Sequence, residues 1–221
     1  MSPVLIAVYR RTVLASLARV RENVLDWEHL PWLHHETFGH VRLLTRHADG
    51  WRAEASLRGA PHGDVFLLEV GFEPGGLTYH SRTLSGRGAG TDIVTRLEPV
   101  GAHATRIVVE FLVPDVAPER AERVGASYLA LYTRLWDEDE AMMRRRQDVL
   151  DGRTPDAWRD VVVDGRALRH ATVCPHLGGP LDDAPVSDGC ITCPWHGYRF
   201  DLRTGRSADG RGLRLETAPK P

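Results

Sequence analysis

Apolar residues alternate with polar ones over much of the first half of the chain, and from 118 to 150 they recur every three to four positions. A period of two puts side chains on alternate faces of a strand, and a period near 3.6 gathers them along one stripe of a helix. Residues 1–12, with the run VLIAVY, read as a strand, and 14–30 have helical spacing that stops at Pro31. Six further strands are expected at 41–47, 51–57, 65–72, 77–83, 91–97 and 105–113. Turn signals divide them: Asp49-Gly50, the segment 61–63, Pro74-Gly75-Gly76 and the glycines of 86–90. Residues 118–150 read as one long helix, with Pro118 where a first-turn proline is tolerated and Glu119 beside it. This is an α+β order in which an antiparallel sheet wraps a long closing helix and leaves a pocket between them. The polar stretch 151–156 reads as a linker, and 158–221 as short strands, turns and glycines. The expected units are 1–150 and 151–221.

Composition changes this picture little. The 221 residues suffice for one large domain or two small ones. A net charge of −2 argues against nucleic acid or an anionic membrane as partner. No apolar run approaches the roughly 20 residues of a membrane helix. The N-terminus MSPVLIAVYRR lacks a basic start followed by a long apolar core, so no signal peptide is expected and the expected compartment is the cytoplasm. The three cysteines, Cys174, Cys190 and Cys193, are an odd and clustered set that suits a metal site better than a disulfide framework.

Two of them belong to paired boxes, Cys174-Pro-His176-Leu-Gly-Gly-Pro-Leu and Cys193-Pro-Trp-His196-Gly-Tyr, with sixteen residues between His176 and Cys193. Each box offers one thiolate and one imidazole. A zinc finger pairs its cysteines in one element and its histidines in another, with a helix between. Here the types are mixed within each box and the spacer has no helical period. The set fits a [2Fe–2S] centre in which both thiolates bind one iron and both imidazoles the other. Gly178, Gly179 and Gly197 are expected to let backbone N–H groups approach the sulfides, and Pro175, Pro180 and Pro194 to stiffen the loops. Cys190 lies outside the ligand positions and reads as a plain thiol.

A second constellation lies in ENVLDWEHLPWLHHETFG. Asp26 and His29 are three apart, which puts them on one face of a helix. Pro31 breaks that helix, so the chain is free to turn His34 back toward His29. A carboxylate is expected from the long helix, whose apolar stripe runs Val124, Tyr128, Leu131, Leu135, Met142. Asp139 interrupts the stripe, and a buried carboxylate is costly unless paired or metal-bound. Glu138 lies near the edge of the same face, while Asp137 and Glu140 are expected to point outward. Two histidines and one carboxylate with open positions suit non-haem Fe(II).

With both sets of residues in view, the chain resembles the Rieske non-haem iron oxygenase family. The match to CPWHGYRFDLRTG extends past the cluster ligands, ENVLDWEHLPWLHHETFG resembles the family's D-x2-H-x4-H motif, and LWDEDEAMMRRRQ resembles the box that completes its triad. The resemblance implies a START/SRPBCC-like helix-grip domain holding mononuclear Fe(II) on His29, His34 and Asp139. It implies a small all-β Rieske domain holding its cluster on Cys174, His176, Cys193 and His196. Asp26 would be the acid that links an iron histidine to a Rieske histidine, here His196. High-potential Rieske proteins carry two further cysteines; Gly179 and Trp195 stand in those positions. The family places its Rieske domain first, and here the order is reversed. The implied activity is hydroxylation or dealkylation of a small organic substrate with O2. A separate reductase or ferredoxin would supply electrons, in a homo-oligomer, a trimer being favoured. No G-x-G-x-x-G fingerprint marks a nicotinamide site in the chain itself. His35 is a competing ligand beside His34, and His40, His80 and His103 are candidates to line the pocket. The rival reading is a non-catalytic helix-grip binding protein whose cluster transfers electrons or senses redox state.

Overall fold

The computed structural model describes residues 3–61, 63–155 and 157–220. Met1 and Ser2 of the first expected strand, His62 of the 61–63 turn and Asp156 of the expected linker lie outside them. The chain forms two compact units, Met1–Met143 and Arg144–Pro221.

The first unit is one antiparallel sheet of seven strands with two helices. The strands are β1 (Val4–Val13), β2 (Phe38–His47), β3 (Gly50–Leu57), β4 (Phe66–Phe72), β5 (Thr78–Ser85), β6 (Asp92–Gly101) and β7 (Ala104–Val113). Their order is β1-β7-β6-β5-β4-β3-β2, a meander whose last strand returns to pair with the first. Alternation decides which face is inside. On β7, Thr105, Ile107, Val109, Phe111 and Val113 are buried, and on β3 so are Trp51, Ala53 and Ala55.

Helix α1 (Leu17–Leu25) follows β1, and helix α2 (Pro118–Leu150) follows β7. On α2, Trp136, Met142 and Met143 are buried, and Phe111 meets Tyr128 and Tyr132 at ring centroid distances of 5.1 and 4.7 Å. Gly125 sits where α2 crosses β1: a Cβ there would lie 2.7 Å from the Ile6 carbonyl oxygen, so the usual helical preference for alanine over glycine is overruled by contact.

Three expectations are corrected. The first helix ends at Leu25, five residues before the expected end. Ser16 caps its start, its Oγ accepting from the Arg19 amide at 3.3 Å. At the other end Asp26 turns extended, with φ −91° and ψ 90°. Its Oδ1 accepts from the Glu28 amide, and the Trp51 indole donates to the Val24 carbonyl. The helix is therefore terminated by side chains, one of them from a distant strand. Asp26 and His29 consequently do not share a helix face. Instead His29 and His34 each open a turn, the carbonyl of His29 accepting from Trp32 and Leu33 and that of His34 from Thr37 and Phe38. Glu140, expected to point outward, is buried; it accepts from the Leu14 amide at 2.9 Å and from Arg11 Nη2 at 2.6 Å. Arg11 also holds the exposed Asp137.

The second unit begins in the last turns of α2, where Arg145 Nε donates to the Gly178 carbonyl at 2.9 Å. Its two small sheets have the orders β13-β9-β8 and β10-β11-β12. The first comprises β8 (Trp158–Val163), β9 (Arg166–Ala171) and β13 (Thr217–Pro219); the second comprises β10 (Val186–Ser187), β11 (Cys190–Thr192) and β12 (Arg199–Asp201). Asp164-Gly165 and Asp188-Gly189 make the turns β8–β9 and β10–β11, all four residues at positive φ, the requirement of the tight hairpin turn that Asp-Gly favours. Leu181, Ile191, Phe200, Leu202 and Leu215 form the buried centre.

Candidate metal centres

In the second unit the two boxes fold as matching loops. The Cys174 amide donates to the Gly179 carbonyl and the Cys193 amide to the Tyr198 carbonyl, each at 2.9 Å. The amides of Gly178 and Gly197 donate back to the carbonyls of Cys174 and Cys193, at 3.0 and 2.9 Å. Both glycines have positive φ, 81° and 68°, which the loop closure requires. Their amides thus close the loops. The amides aimed at sulfur are those of His176 and Leu177, toward Cys174, and Trp195, toward Cys193.

The loops bring together all four expected cluster residues. Cys174 and Cys193 are buried and hydrogen-bonded to each other. The hydrogen bond from Cys174 lowers the pKa of Cys193, while the same contact and burial raise that of Cys174. The His176 and His196 rings meet edge to face at 4.6 Å, and Tyr198 stacks on His176 at 4.1 Å. Gly179 keeps this space open: a Cβ on it would lie 2.6 Å from Cys193 Sγ and 3.3 Å from the Trp195 ring. Two thiols and two imidazoles converging beside a position that tolerates no Cβ fit a [2Fe–2S] cluster. Cys190 stands apart on β11, opposite Asp201.

In the first unit His29, His34 and Asp139 converge. One ligand atom from each lies within 4.8 Å of the others. The Asp139 Oδ1 is 3.1 Å from His34 Nε2 and 3.5 Å from His29 Nε2. The other ring nitrogens face outer carboxylates: His34 Nδ1 is 2.6 Å from Glu138 Oε2, and His29 Nδ1 is 3.5 Å from Asp26 Oδ2. Each imidazole therefore lies between two carboxylates. With Nδ1 as donor to its outer carboxylate, each ring would keep an Nε2 lone pair for a metal ion beside Asp139. Asn23 Nδ2 donates to Asp139 Oδ1 at 3.0 Å.

All three central residues are nearly or wholly buried, at 3%, 2% and 9% exposure. Burial opposes ionisation of Asp139, but the charges and hydrogen bonds of His34, then His29 and Asn23, outweigh it and lower its pKa. Burial likewise opposes a charged His34, and Asp139 and Glu138 outweigh it and raise the pKa. Two imidazoles and a carboxylate on one side of an open space fit a divalent first-row metal, with the nitrogen and oxygen donors that suit Fe(II).

That space is a cavity of about 570 Å³, within the usual range for a small-molecule site. Its walls are mainly apolar, including Leu30, Phe38, Trp51, Phe66, Leu135 and Trp136. Tyr79 and Tyr132 also line it; burial is the main cause that raises both phenols, so they remain neutral hydroxyls. His35 is exposed and bonds the Trp32 carbonyl. His40 and His103 are exposed, and His80 sits between Asp92 and Glu73; none of the three lines the cavity. Sequence reasoning missed the roles of Glu138, Asn23 and Tyr79. A glutamate adjacent to the expected ligand was visible; the other two had no signal beyond their place in the fold.

Residues 135–218 match the Rieske [2Fe-2S] domain. Among curated proteins, aminopyrrolnitrin oxygenase PrnD of Pseudomonas fluorescens is 36% identical over 89 residues, 40% of this chain and 23% of that protein. Apoptosis-inducing factor 3 of Homo sapiens is 48% identical over 47 residues, 21% of this chain and 7% of that protein. The chain thus spans less than a quarter of the length of these relatives. Among solved structures, a quaternary ammonium Rieske monooxygenase described for carnitine oxidation and inter-subunit electron transfer superimposes with a TM-score of 0.50 at 14% identity. That alignment covers 68% of this chain and 42% of the other. The chain therefore has two parts: a unit in which an antiparallel sheet packs on a long helix, a fold shared with that monooxygenase, and after it a region that matches the Rieske [2Fe-2S] domain.

Proposed function

We propose that this chain is a Rieske-type non-haem iron oxygenase acting on a small hydrophobic organic molecule. The observation that carries the reading is the buried meeting of His29, His34 and Asp139 at an apolar cavity, in a chain that also carries a Rieske domain. In this reading those three residues hold mononuclear Fe(II), and Cys174, His176, Cys193 and His196 hold the cluster. The cluster would supply electrons and the iron would supply O2 activation, leading to hydroxylation or dealkylation.

The chain's own contribution is positional. Glu138 holds the ring of His34, Asp26 faces the ring of His29, and Asn23 fixes the Asp139 carboxylate. The apolar walls bind the substrate body and exclude water. Asp26 is also the candidate for the electron path, as a carboxylate able to accept the N–H of a cluster histidine such as His196. A reductase or ferredoxin supplies the electrons. A head-to-tail homo-oligomer, a trimer for preference, brings one chain's cluster to its neighbour's iron. No helix among the described residues is long and apolar enough to cross a membrane, and a cytoplasmic location is proposed with this reading.

Iron content tests it. Protein from iron-replete cells should carry two irons in the cluster and one more, and Asp139→Ala should lose only that one. If wild type carries two irons even after anaerobic reconstitution with Fe(II), the chain is instead a helix-grip binding protein with an electron-transfer cluster.

A further inference from the structure

The cavity's charges are not spread evenly. Asp26 and Asp139 lie with the two histidines, and the only arginine or lysine among the lining residues is Arg87. It stands in the loop 86–91 between β5 and β6, and among the described residues it has no acidic partner, whereas most arginines on the outer face of the sheet have one, as Arg42, Arg52, Arg82 and Arg106 do.

The fold places Arg87 at the end away from the acids. Along β5, Tyr79 lies close enough to Asp139 to feel its charge, and Ser81 and Thr83 follow on the same face into the cavity. At about 3.3 Å per residue, Thr83 is about 13 Å beyond Tyr79, and the loop comes after it. The loop's base is pinned: the Gly90 amide donates to the Thr83 carbonyl, and the Thr83 amide to that of Thr91. A Cβ on Gly90 would meet the Pro114 ring at 3.2 Å, so the loop lies near the N-terminal end of α2. On that helix the lining runs from Ser127 to Asp139, about 18 Å at about 1.5 Å per residue.

We infer that the cavity takes an elongated apolar molecule with one anionic end group, a carboxylate or a group of like charge, that pairs with Arg87. A guanidinium presents a planar fork that matches a carboxylate with two hydrogen bonds. The guanidinium stands at the far end of the cavity from His29, His34 and Asp139, so pairing with it sets the direction of entry as well as the preference. The apolar end then lies beside His29, His34 and Asp139. This orientation matters for catalysis only if the oxygenase reading holds; the binding preference does not depend on it.

Calorimetric titration of the purified full chain with biphenyl-4-carboxylate and with its neutral isostere biphenyl-4-carboxamide tests the inference. The carboxylate should bind about tenfold more tightly, with the gap narrowing as salt is raised. Arg87→Gln should bring the carboxylate down to the carboxamide's affinity and leave the carboxamide unchanged. Arg87 is exposed and unpaired, so the variant should fold as wild type does, which thermal denaturation checks. Equal affinity for the two probes, no binding of the carboxylate, or a preference that survives Arg87→Gln would each overturn the inference. Iron content separates the two proposals. A chain that prefers the carboxylate through Arg87 but holds only the cluster irons refutes the oxygenase reading alone. A chain with the additional iron and no preference refutes this inference alone.

Discussion

Replacing Glu138 by glutamine should weaken metal binding at the first centre about tenfold while leaving the fold intact. Glu138 Oε2 lies 2.6 Å from His34 Nδ1, the short distance of a hydrogen bond with a charged acceptor. Such bonds contribute about 1.5–3 kcal/mol and neutral ones about 0.5–1.5, so removing the charge costs about 1–1.5 kcal/mol. At about 1.4 kcal/mol per decade this is about a factor of ten in affinity. The Glu138 side chain is 29% exposed, and solvent screening holds the effect to this lower end of the range for residues that orient a metal ligand. Glu138→Ala removes the acceptor altogether and should cost up to about a hundredfold. The assay is titration of metal-depleted protein with Fe(II) under argon against a competing chelator, with the cluster absorbance as an internal standard. The graded order, wild type tighter than Gln and Gln tighter than Ala, is the expected result. Identical affinities for all three would refute the claim that Glu138 acts through His34.

Further outcomes follow from neighbouring residues. Glu140→Ala takes from the Leu14 amide and Arg11 the nearly buried acceptor they share and should destabilise the first unit by about 1–2 kcal/mol; thermal denaturation should show a midpoint lower by several degrees, with iron content per folded chain unchanged. Gly179→Ala forces a Cβ to within 2.6 Å of Cys193 Sγ and should yield protein without the brown absorbance of the cluster, while the helix-grip unit keeps its circular dichroism. Asp26→Asn keeps the size of the side chain beside His29 and removes its charge. Both metals should stay bound, and oxygen-dependent reoxidation of the reduced cluster in the presence of substrate, followed by stopped-flow absorbance, should slow by orders of magnitude; a rate near wild type would remove Asp26 from the electron path.

Elements ruled by local pattern were legible before any coordinates. The alternation of β7 and β3 and the single long helix from Pro118 to Leu150 are local properties, and they appear where expected. The motif residues that read as cluster and iron positions also come together in space. What stayed hidden was set by partners distant in sequence. The first helix stops at Leu25 because the Trp51 indole from β3 takes the Val24 carbonyl and because Asp26 turns to its own backbone. Glu140 is buried because Arg11, 129 residues away in sequence, comes to meet that face of α2. A helical-wheel argument treats each acid of Trp136-Asp137-Glu138-Asp139-Glu140 by its angle alone. In the fold, four successive acids receive four different fates. Asp137 is exposed on Arg11, Glu138 holds a histidine, Asp139 joins two, and Glu140 closes a strand end.

Nitric oxide binding to the reduced protein asks whether His29, His34 and Asp139 hold an iron distinct from the cluster. A ferrous ion with open positions on two histidines and one carboxylate forms a nitrosyl complex whose half-integer-spin EPR signal is separate from the signal of a reduced Rieske cluster. Wild type should show both signals, and Asp139→Ala should lose the nitrosyl signal alone. A wild-type protein that is fully loaded with iron and shows only the cluster signal, or an Asp139→Ala variant that keeps the nitrosyl signal, would contradict this assignment.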